Sequence, residues 1–270
     1  MPARINLHNH SSRSDGTLGP AELAAAAVRA GIGFFSLTDH DTTGGWPEIE
    51  PALKAANIAY CYGIELSTSL HDSLHVLGYG LNPADPGLAA KTAGFRARRL
   101  ERLKKIIGSL RAMDIDISFE EIPSEIASSK GRPHIADLLK KKGYVKARRQ
   151  AFEKYIGWGR PAYSPPAGPD MAEAIKTIKD AGGLAVLAHP GVVYKMLDLA
   201  GWKEMGLDGI EAFYPTHSRS LTDELNALAA RYGLFVTAGT DFHGPGTDRD
   251  KMTGFDYDAE RFKEIRTVFR

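Results

Sequence analysis

Short apolar runs in the two end parts of the chain predict β-strands, and each run is followed by polar residues and then by a helical stretch. In the first part the predicted strands are 5–7, 33–37, 59–63 and 74–79, with helices at 19–30 and 47–56. In the last part, strands at 184–188, 209–213 and 234–238 alternate with helices at 171–181, 193–205, 218–232 and 259–269. This alternation is typical of a parallel α/β fold, and about seven strands predict a closed or nearly closed (β/α) barrel.

The middle of the chain has a different pattern. A long basic helix is predicted at 88–113, shorter helices follow at 119–127, 133–142 and 148–156, and no strand is predicted before 184. We therefore expect residues 1–82 and 167–270 to form the barrel, and residues 83–166 to form a helical insertion that contributes to substrate binding. The basic residues of the long helix have two interpretations, a solvated helix face or a rim that attracts a polyanionic substrate.

Composition narrows the class of protein. With 43% hydrophobic and 25% charged residues the chain is typical of a globular protein, and its net charge of +1 provides no global field for nucleic acid or anionic lipid. Cys61 is the single cysteine, so no disulfide can form within the chain. The N-terminus lacks an apolar signal core and no run of about 18 apolar residues occurs, which predicts a cytoplasmic protein without membrane contact.

Side chains that bind metals stand near the ends of the predicted strands. His8 and His10 are two residues apart after the first strand, where positions i and i+2 share a face. His75, near the start of its own run, would face the same site if that strand were antiparallel. Any one of these residues could be a structural histidine or a turn cap, but together they predict a metal centre. The nine candidate ligands are His8, His10, Asp15, His40, Glu65, His75, His189, Asp241 and His243.

Nine ligands are too many for one ion of four to six ligands and predict two or three divalent ions, with Glu65 as the bridging carboxylate. Mn²⁺ is the expected ion, with Fe²⁺ and Zn²⁺ as alternatives, since histidine and carboxylate bind all three. Two ions about 3.5 to 4 Å apart can clamp the attacking and leaving oxygens of a phosphoryl transfer.

The motifs HNH, TDHD, GIE, AHPG and TDFHG, in this order, resemble the PHP (polymerase and histidinol phosphatase) superfamily. The segments LHNHSSRSDGTLGPAEL, LTDHDTTGGW and TAGTDFHGPG resemble its nucleoside-bisphosphate phosphatase and RNase AM-like subfamily, as do GRPHIADLL, FEKYIGWGRPAY and PTHS. The resemblance implies a distorted (β/α)7 barrel with a helical insertion and three metal ions. It implies one ion on His8, His10, Glu65 and Asp241, a second on Glu65, His75 and His189, and a third on Asp15, His40 and His243.

Phosphate-binding residues are expected on the insertion and near the metal loops. The candidates are Arg132, His134, Arg160 and His217, with Arg13 as a further one. Arginine suits phosphate because its donors match two oxygens at once, although each candidate could instead form a surface ion pair or a cap. Arg160 departs from the lysine frequent in relatives, which replaces a point cation with a planar fork.

Four functions are compatible with these features. The first is a phosphatase that removes the 3′-phosphate of nucleoside 3′,5′-bisphosphates (pAp to 5′-AMP plus phosphate), using a hydroxide that bridges the metals. The second is a 5′→3′ exoribonuclease acting on short 5′-phosphorylated RNA, and the third is a histidinol-phosphate phosphatase. The fourth is a non-catalytic metal-binding module. The first is our prediction, with a nucleotide or short RNA as substrate and no obligatory protein partner.

Overall fold

The computed structural model describes residues 3–122 and 129–270 and contains two sheets. The smaller sheet has the order β3-β2-β1-β9, in which β1, β2 and β3 are parallel and β9 is antiparallel to β1. The larger sheet has the order β4-β5-β6-β7-β8, in which β5 runs antiparallel to both of its neighbours. The strands are β1 (Arg4–Asn6), β2 (Ile32–Phe35), β3 (Ala59–Tyr60), β4 (Gly63–Ser67), β5 (His75–Tyr79), β6 (Leu184–Leu187), β7 (Gly209–Phe213), β8 (Phe235–Ala238) and β9 (Phe255–Asp256).

Backbone contacts join the two sheets along two seams. Beyond β2, the Asp41 N–H donates to the Glu65 carbonyl at 2.9 Å, and His40 forms an isolated parallel bridge with Glu65. On the other side the Leu7 N–H donates to the Ala238 carbonyl at 2.9 Å. Strands β1, β2, β4, β5, β6, β7 and β8 therefore follow one another around a ring. The predicted α/β class and distorted seven-stranded barrel are confirmed.

Nine α-helices lie in the part of the chain that the structure describes. They are α1 (Pro20–Arg29), α2 (Trp46–Ala55), α3 (Pro86–Arg111), α4 (Arg132–Lys141), α5 (Arg148–Ala151), α6 (Met171–Asp180), α7 (Leu199–Glu204), α8 (Arg219–Tyr232) and α9 (Lys263–Arg266). Their ends follow the local chemistry: the Ser218 side chain caps the start of α8, and Gly233 ends it in the left-handed region at φ 62°. No described helix is both long enough and apolar enough to cross a membrane.

Three predicted elements differ in the structure. The strand expected at 59–63 is divided into β3 and β4, so Glu65 lies in the middle of a strand and not after one. The helix expected at 193–205 is a 3₁₀ helix at Pro190–Met196 followed by α7, because the Asp198 side chain starts a new helix by accepting the Gly201 N–H. The last helix shortens to α9, since the Asp258 carboxylate binds backbone N–H groups of 260 and 261 in a turn.

The insertion contains a hydrophobic core of its own. Leu103, Ile106, Leu110, Ile135 and Ile156 are buried in it. Ile156 ends a π-helical turn, Phe152–Ile156, that continues α5. Helix α3 belongs to both parts of the molecule, because residues 88 and 95 near its start pack in the barrel core. Residues 103, 106 and 110 of the same helix pack in the insertion core. Of the helix predicted at 119–127, a 3₁₀ turn at Phe119–Glu121 is seen, and residues 123–128 lie outside the described part.

Candidate metal centre

All nine predicted ligands meet at one mouth of the barrel. They come from the segments that follow β1, β2, β6 and β8, from the middle of β4 and from the start of β5. His75 reaches the cluster because β5 is antiparallel, which is the condition anticipated from the sequence. Eight of the nine residues are buried, and the His75 side chain is 14% exposed. The strand pattern thus gathers residues that are up to 235 positions apart (8 to 243).

Glu65 lies at the centre of the cluster, and its two oxygens face different histidines. Oε1 is 2.9 Å from Nδ1 of His75 and 3.3 Å from Nε2 of His189. Oε2 is 3.0 Å from Nε2 of His10 and 3.2 Å from Nε2 of His8. A carboxylate with one oxygen toward each group of imidazoles has the arrangement needed to bridge two cations.

A further group forms around Asp15. Its Oδ1 is 3.3 Å from Nε2 of His243, and its Oδ2 is 3.8 Å from Nε2 of His40. The other nitrogen of His40, Nδ1, is 3.2 Å from Oε2 of Glu65, so this imidazole stands between two groups of ligands. Three sets have ligand atoms within 4.8 Å of one another: His10, Asp15, His40 and His243; His8, His10, Glu65 and Asp241; and His40, Glu65 and His75.

Several buried atoms of the cluster have no hydrogen bond, although buried polar groups are nearly always paired. The unpaired ligand atoms are Nε2 of His8, Nε2 of His10, Oδ1 of Asp15, Oε2 of Glu65, Nδ1 of His189 and Oδ1 of Asp241. They approach one another at 3.0 to 3.4 Å in several pairs without hydrogen-bonding geometry. These atoms would be satisfied if each pointed at a bound cation. The residues therefore fit two or more divalent metal ions.

Charge within the cluster keeps the carboxylates ionised. Burial would raise the pKa of Glu65, but His40 and His8 beside it hold that pKa well below its ordinary range. Burial lowers the pKa of His40, which favours the neutral imidazole that binds metals. Burial would also lower the pKa of His10, but the close carboxylates of Asp241 and Glu65 raise it to about 9.

A second carboxylate orients two of the candidate ligands. Glu211 in β7 is fully buried, and its Oε1 is 3.1 Å from Nδ1 of His8. Its Oε2 accepts a hydrogen bond from the backbone N–H of His189 at 2.9 Å. By binding Nδ1 of His8 it directs Nε2 toward the cluster. Glu211 was not predicted from the sequence, although Gly-Ile-Glu at 209–211 repeats the Gly-Ile-Glu at 63–65 that supplies Glu65.

Arg249 and Tyr214 hold one oxygen of Asp241. Arg249 Nη1 is 2.8 Å from Oδ2, and the Tyr214 hydroxyl donates to the same oxygen at 3.1 Å. Burial would raise the pKa of Asp241, but Arg249 and His8 hold it well below the usual value. Oδ1 is thereby left facing the imidazoles. Asp241 and His189 both have left-handed backbones, at φ 54° and 30°, and such strain is concentrated at functional sites.

The cluster forms the floor of a cleft whose wall is rich in arginine. Among the predicted phosphate binders, Arg132 lines this cleft and its Nη1 donates to Oδ2 of Asp72 at 2.8 Å. Its guanidinium lies over the Phe152 ring, 5.3 Å from the centroid. Arg102 Nη2 donates to the other oxygen of Asp72 at 2.6 Å. Asp72, which lies in the turn before β5, therefore joins the two arginines at the cleft.

Two more arginines on the cleft wall were not singled out as phosphate binders. Arg99, on the basic face of α3, donates to Ser67 Oγ at 2.6 Å and lies 3.2 Å from Asp41. Arg148 pairs with Asp137 through two contacts of 2.6 and 2.5 Å. Of the two interpretations of the basic helix, a fully solvated face does not apply to Arg99 and Arg102, because both line the cleft.

Three of the other predicted phosphate binders do not line the cleft. His134 is buried, and its Nδ1 accepts the Gly131 N–H at 2.8 Å. Arg160 is exposed and is not among the described residues that line the cleft. Arg13 pairs with Glu48. The structure thus does not bring these side chains together with the metal cluster at a common surface.

His217 has a supporting position. Its Nδ1 donates to the Ala212 carbonyl at 2.9 Å, and its Nε2 accepts the Gly191 N–H at 3.2 Å. A side-chain Cβ at residue 191 would approach the imidazole to 2.6 Å, so only glycine fits there. His217 therefore fixes the turn that carries His189 into the cluster.

Comparison with known proteins agrees with this geometry. The PHP domain family matches residues 6–153. The chain belongs to the PHP domain family. It is 36% identical over 259 residues to a 3′,5′-nucleoside bisphosphate phosphatase of Chromobacterium violaceum, covering 90% of this chain and 88% of that protein. It is 31% identical to a 5′-3′ exoribonuclease of Haemophilus influenzae, covering 91% of this chain and 92% of that protein.

A crystal structure of a PHP relative extends the likeness to the whole fold. A Bifidobacterium adolescentis protein assigned as a metal-dependent phosphoesterase superposes with a TM-score of 0.88 at 30% identity, over 99% of this chain and 98% of that one. The predicted family is confirmed. The predicted enzyme class is confirmed too, because the PHP relatives are named as phosphoric ester hydrolases. The activities named for these two relatives concern nucleotides or RNA.

Proposed function

We propose that this PHP domain removes the 3′-phosphate of nucleoside 3′,5′-bisphosphates, giving a 5′-nucleotide and inorganic phosphate. One observation carries the proposal: a cluster of nine potential metal ligands, eight of them buried, and a separate pair of arginines, Arg102 and Arg132, belong to the same cleft. The cleft thus offers two places for phosphate, with different chemistry. A substrate with two phosphates can occupy both.

The first phosphate place is the cluster. We propose that it takes two or three divalent ions, with Mn²⁺ as the expected one. When bound, such ions polarise phosphoryl oxygens and lower the pKa of water enough to supply hydroxide near neutral pH. Glu65 has the geometry of the bridge, and Glu211 fixes the imidazole of His8. The chain then needs no protein nucleophile, and burial raises the pKa of its single thiol, Cys61, to about 12.

The second place is the arginine pair on the insertion. Asp72 accepts one contact from Arg102 and one from Arg132, so it holds both guanidinium groups in position while leaving other N–H donors of each fork for a ligand. We assign this pair to the 5′-phosphate. Binding of a phosphate that does not react can assist the chemistry at the other end of the substrate.

A 5′→3′ exoribonuclease is the second candidate, and the similarity to the Haemophilus influenzae enzyme favours it. The same polarity would serve both reactions, because the arginine pair would hold a 5′-phosphate while the cluster acts on the next phosphate along the chain. The two candidates therefore differ in substrate length and not in the assignment of residues.

Phosphate release tests the proposal. Protein supplied with Mn²⁺ is incubated with pAp, with 5′-phosphorylated RNA of two to five nucleotides and with histidinol phosphate, and products are separated by chromatography. We expect hydrolysis of pAp, with or without nucleotide release from RNA. The control is Glu65→Gln, which should be inactive on every substrate. Turnover of histidinol phosphate alone would contradict the proposal.

A further inference from the structure

The structure leaves a tryptophan exposed on a turn of the insertion that leads to Arg102 in the wall of the cleft. Trp158 is 77% exposed, the highest value among the large hydrophobic residues exposed in the described ranges. The other two tryptophans of the chain are buried, at 1% exposure for Trp46 and 4% for Trp202. Folding leaves the Trp158 ring in water, so burial in the core does not explain its presence.

The turn that carries Trp158 is fixed by its backbone. The Arg160 N–H donates to the Gly157 carbonyl at 3.1 Å, and the Tyr163 N–H donates to the Arg160 carbonyl at 2.9 Å. Gly159 takes the left-handed conformation at φ 69°, which glycine adopts without strain. The turn is anchored to the insertion core because residue 162, which is fully buried, donates its N–H to the carbonyl of residue 155. Trp158 is thus held on an ordered support.

Tyr163 links this turn to the cleft. Its ring lies edge-on to Trp158, with the centroids 5.2 Å apart. The next residue, Ser164, accepts two hydrogen bonds through its carbonyl from Arg102, at 2.9 and 2.6 Å. Burial raises the pKa of the Tyr163 hydroxyl, and the nearby Asp72 carboxylate raises it further. Tyr163 therefore stands near the Asp72 carboxylate that holds the arginine pair, and the exposed Trp158 ring is the next ring beyond Tyr163.

We propose that Trp158 and Tyr163 form a stacking platform for the nucleobase of the substrate. The inference rests on the proposed function, since it assumes that a nucleotide phosphate binds Arg102 and Arg132. An aromatic face next to a cationic pair is complementary to a ligand that is both anionic and aromatic, which describes a nucleotide. Arg160, exposed on the same turn, adds positive charge at this edge. Stacking is tolerant of sequence because every base has a π-face.

Kinetics with and without a base test the platform. The holoenzyme and its Trp158→Ala variant are assayed with pAp and with methyl riboside 3,5-bisphosphate, which keeps the sugar and both phosphates. We expect Trp158→Ala to lower kcat/KM for pAp roughly 5- to 150-fold, mainly through KM, and to leave the base-free substrate within about twofold. Trp158→Phe should restore most of the loss. Met205→Ala, an exposed apolar change away from the cleft, should behave as wild type.

The outcomes separate the platform from the proposed function. No phosphate release from pAp by the wild type would refute the function. Normal release from pAp with unchanged kinetics in Trp158→Ala would overturn the platform alone, and so would equal losses for both substrates. A dimer that dissociates in Trp158→Ala, with unchanged nucleotide kinetics, would assign the ring to a second copy of the chain and overturn the platform as well.

Fluorescence provides a direct readout of binding. The wild-type holoenzyme is titrated with 5′-AMP and, separately, with ribose 5-phosphate. Because Trp46 and Trp202 are buried, the difference between wild type and Trp158→Phe reports the exposed ring. We expect 5′-AMP to quench this difference signal and ribose 5-phosphate to leave it unchanged. Quenching of equal size by both ligands, or no quenching at saturating 5′-AMP, would contradict stacking.

Discussion

Replacement of Arg132 by alanine isolates the second phosphate place from the metal cluster. In the structure the Arg132 side chain is 16% exposed, pairs with Asp72 at 2.8 Å and packs on the Phe152 ring. Burial lowers its pKa to about 10, with Asp72 acting in the opposite direction, so the group remains charged near neutral pH. After the substitution Asp72 keeps its 2.6 Å contact with Arg102, so no buried carboxylate is left without a partner. The fold should therefore survive.

The expected cost follows from the loss of one charge-assisted contact to phosphate. Such contacts contribute about 1.5 to 3 kcal/mol, which corresponds to a loss of roughly 10- to 150-fold in kcat/KM for pAp. With adenosine 3′-phosphate, which has no 5′-phosphate, the same substitution should have little effect. The kcat/KM of Arg132→Lys for pAp should fall between those of the wild type and Arg132→Ala, because lysine keeps the charge and loses the planar fork.

The assay measures initial rates of phosphate release over a range of substrate concentrations for the two substrates and three proteins. Metal content and circular dichroism are recorded for each protein. Equal losses with pAp and adenosine 3′-phosphate would show that Arg132 acts on the reacting end or on the fold. Unchanged kinetics with a normal spectrum would assign Arg132 to the ion pair with Asp72 alone, and our assignment of the 5′-phosphate would be refuted.

Three further predictions concern the metal cluster. Glu65→Gln should abolish activity and lower the amount of bound metal. His71 does not line the cleft, so His71→Ala should lose far less activity. Similar losses of activity in the two variants would contradict the bridging role of Glu65. Arg249→Ala should weaken metal binding or activity roughly 10- to 100-fold, because it releases Oδ2 of Asp241. Arg249→Lys should be less affected. Full metal content and full activity in both variants would refute the supporting role of Arg249. Because the pKa of His10 is raised to about 9 and that of His8 is raised too, and each imidazole must lose its proton to bind a metal, apparent metal affinity should rise by about tenfold or more per pH unit below pH 9. Calorimetry at several pH values measures the metal affinity, with proton release measured in parallel. A metal affinity that does not change with pH would contradict this prediction.

The metal cluster could be anticipated from the sequence because its residues follow the periodicity of strands. His8 and His10 share a face at the end of a strand, and the antiparallel direction of β5 was the condition that allowed His75 to join them. Glu65 was expected after a strand and lies within β4. The reason is that residues 61 and 62 interrupt the ladder, and the apolar composition of 59–66 does not reveal that break.

The surroundings of the cluster were less accessible to sequence reasoning. Arg249 reaches Asp241 from an irregular loop with no periodic pattern, so nothing in the spacing indicates its direction. Arg102 was one of several basic residues on α3, and only the tertiary position of Asp72 distinguishes it from the solvated ones. Of the arginines predicted to bind phosphate, Arg132 lines the cleft, whereas Arg160 is exposed and does not line it.

The central claim is that metals at the cluster act on the 3′-phosphate while the arginine pair holds the 5′-phosphate. The most direct test is the identity of the products from pAp. Protein stripped of metal by chelation should be inactive, and after addition of Mn²⁺ it should yield 5′-AMP and inorganic phosphate, resolved from 3′-AMP by chromatography. A dominant 3′-AMP product would reverse the assigned orientation, and full turnover by the stripped protein would contradict the metal-dependent reaction itself.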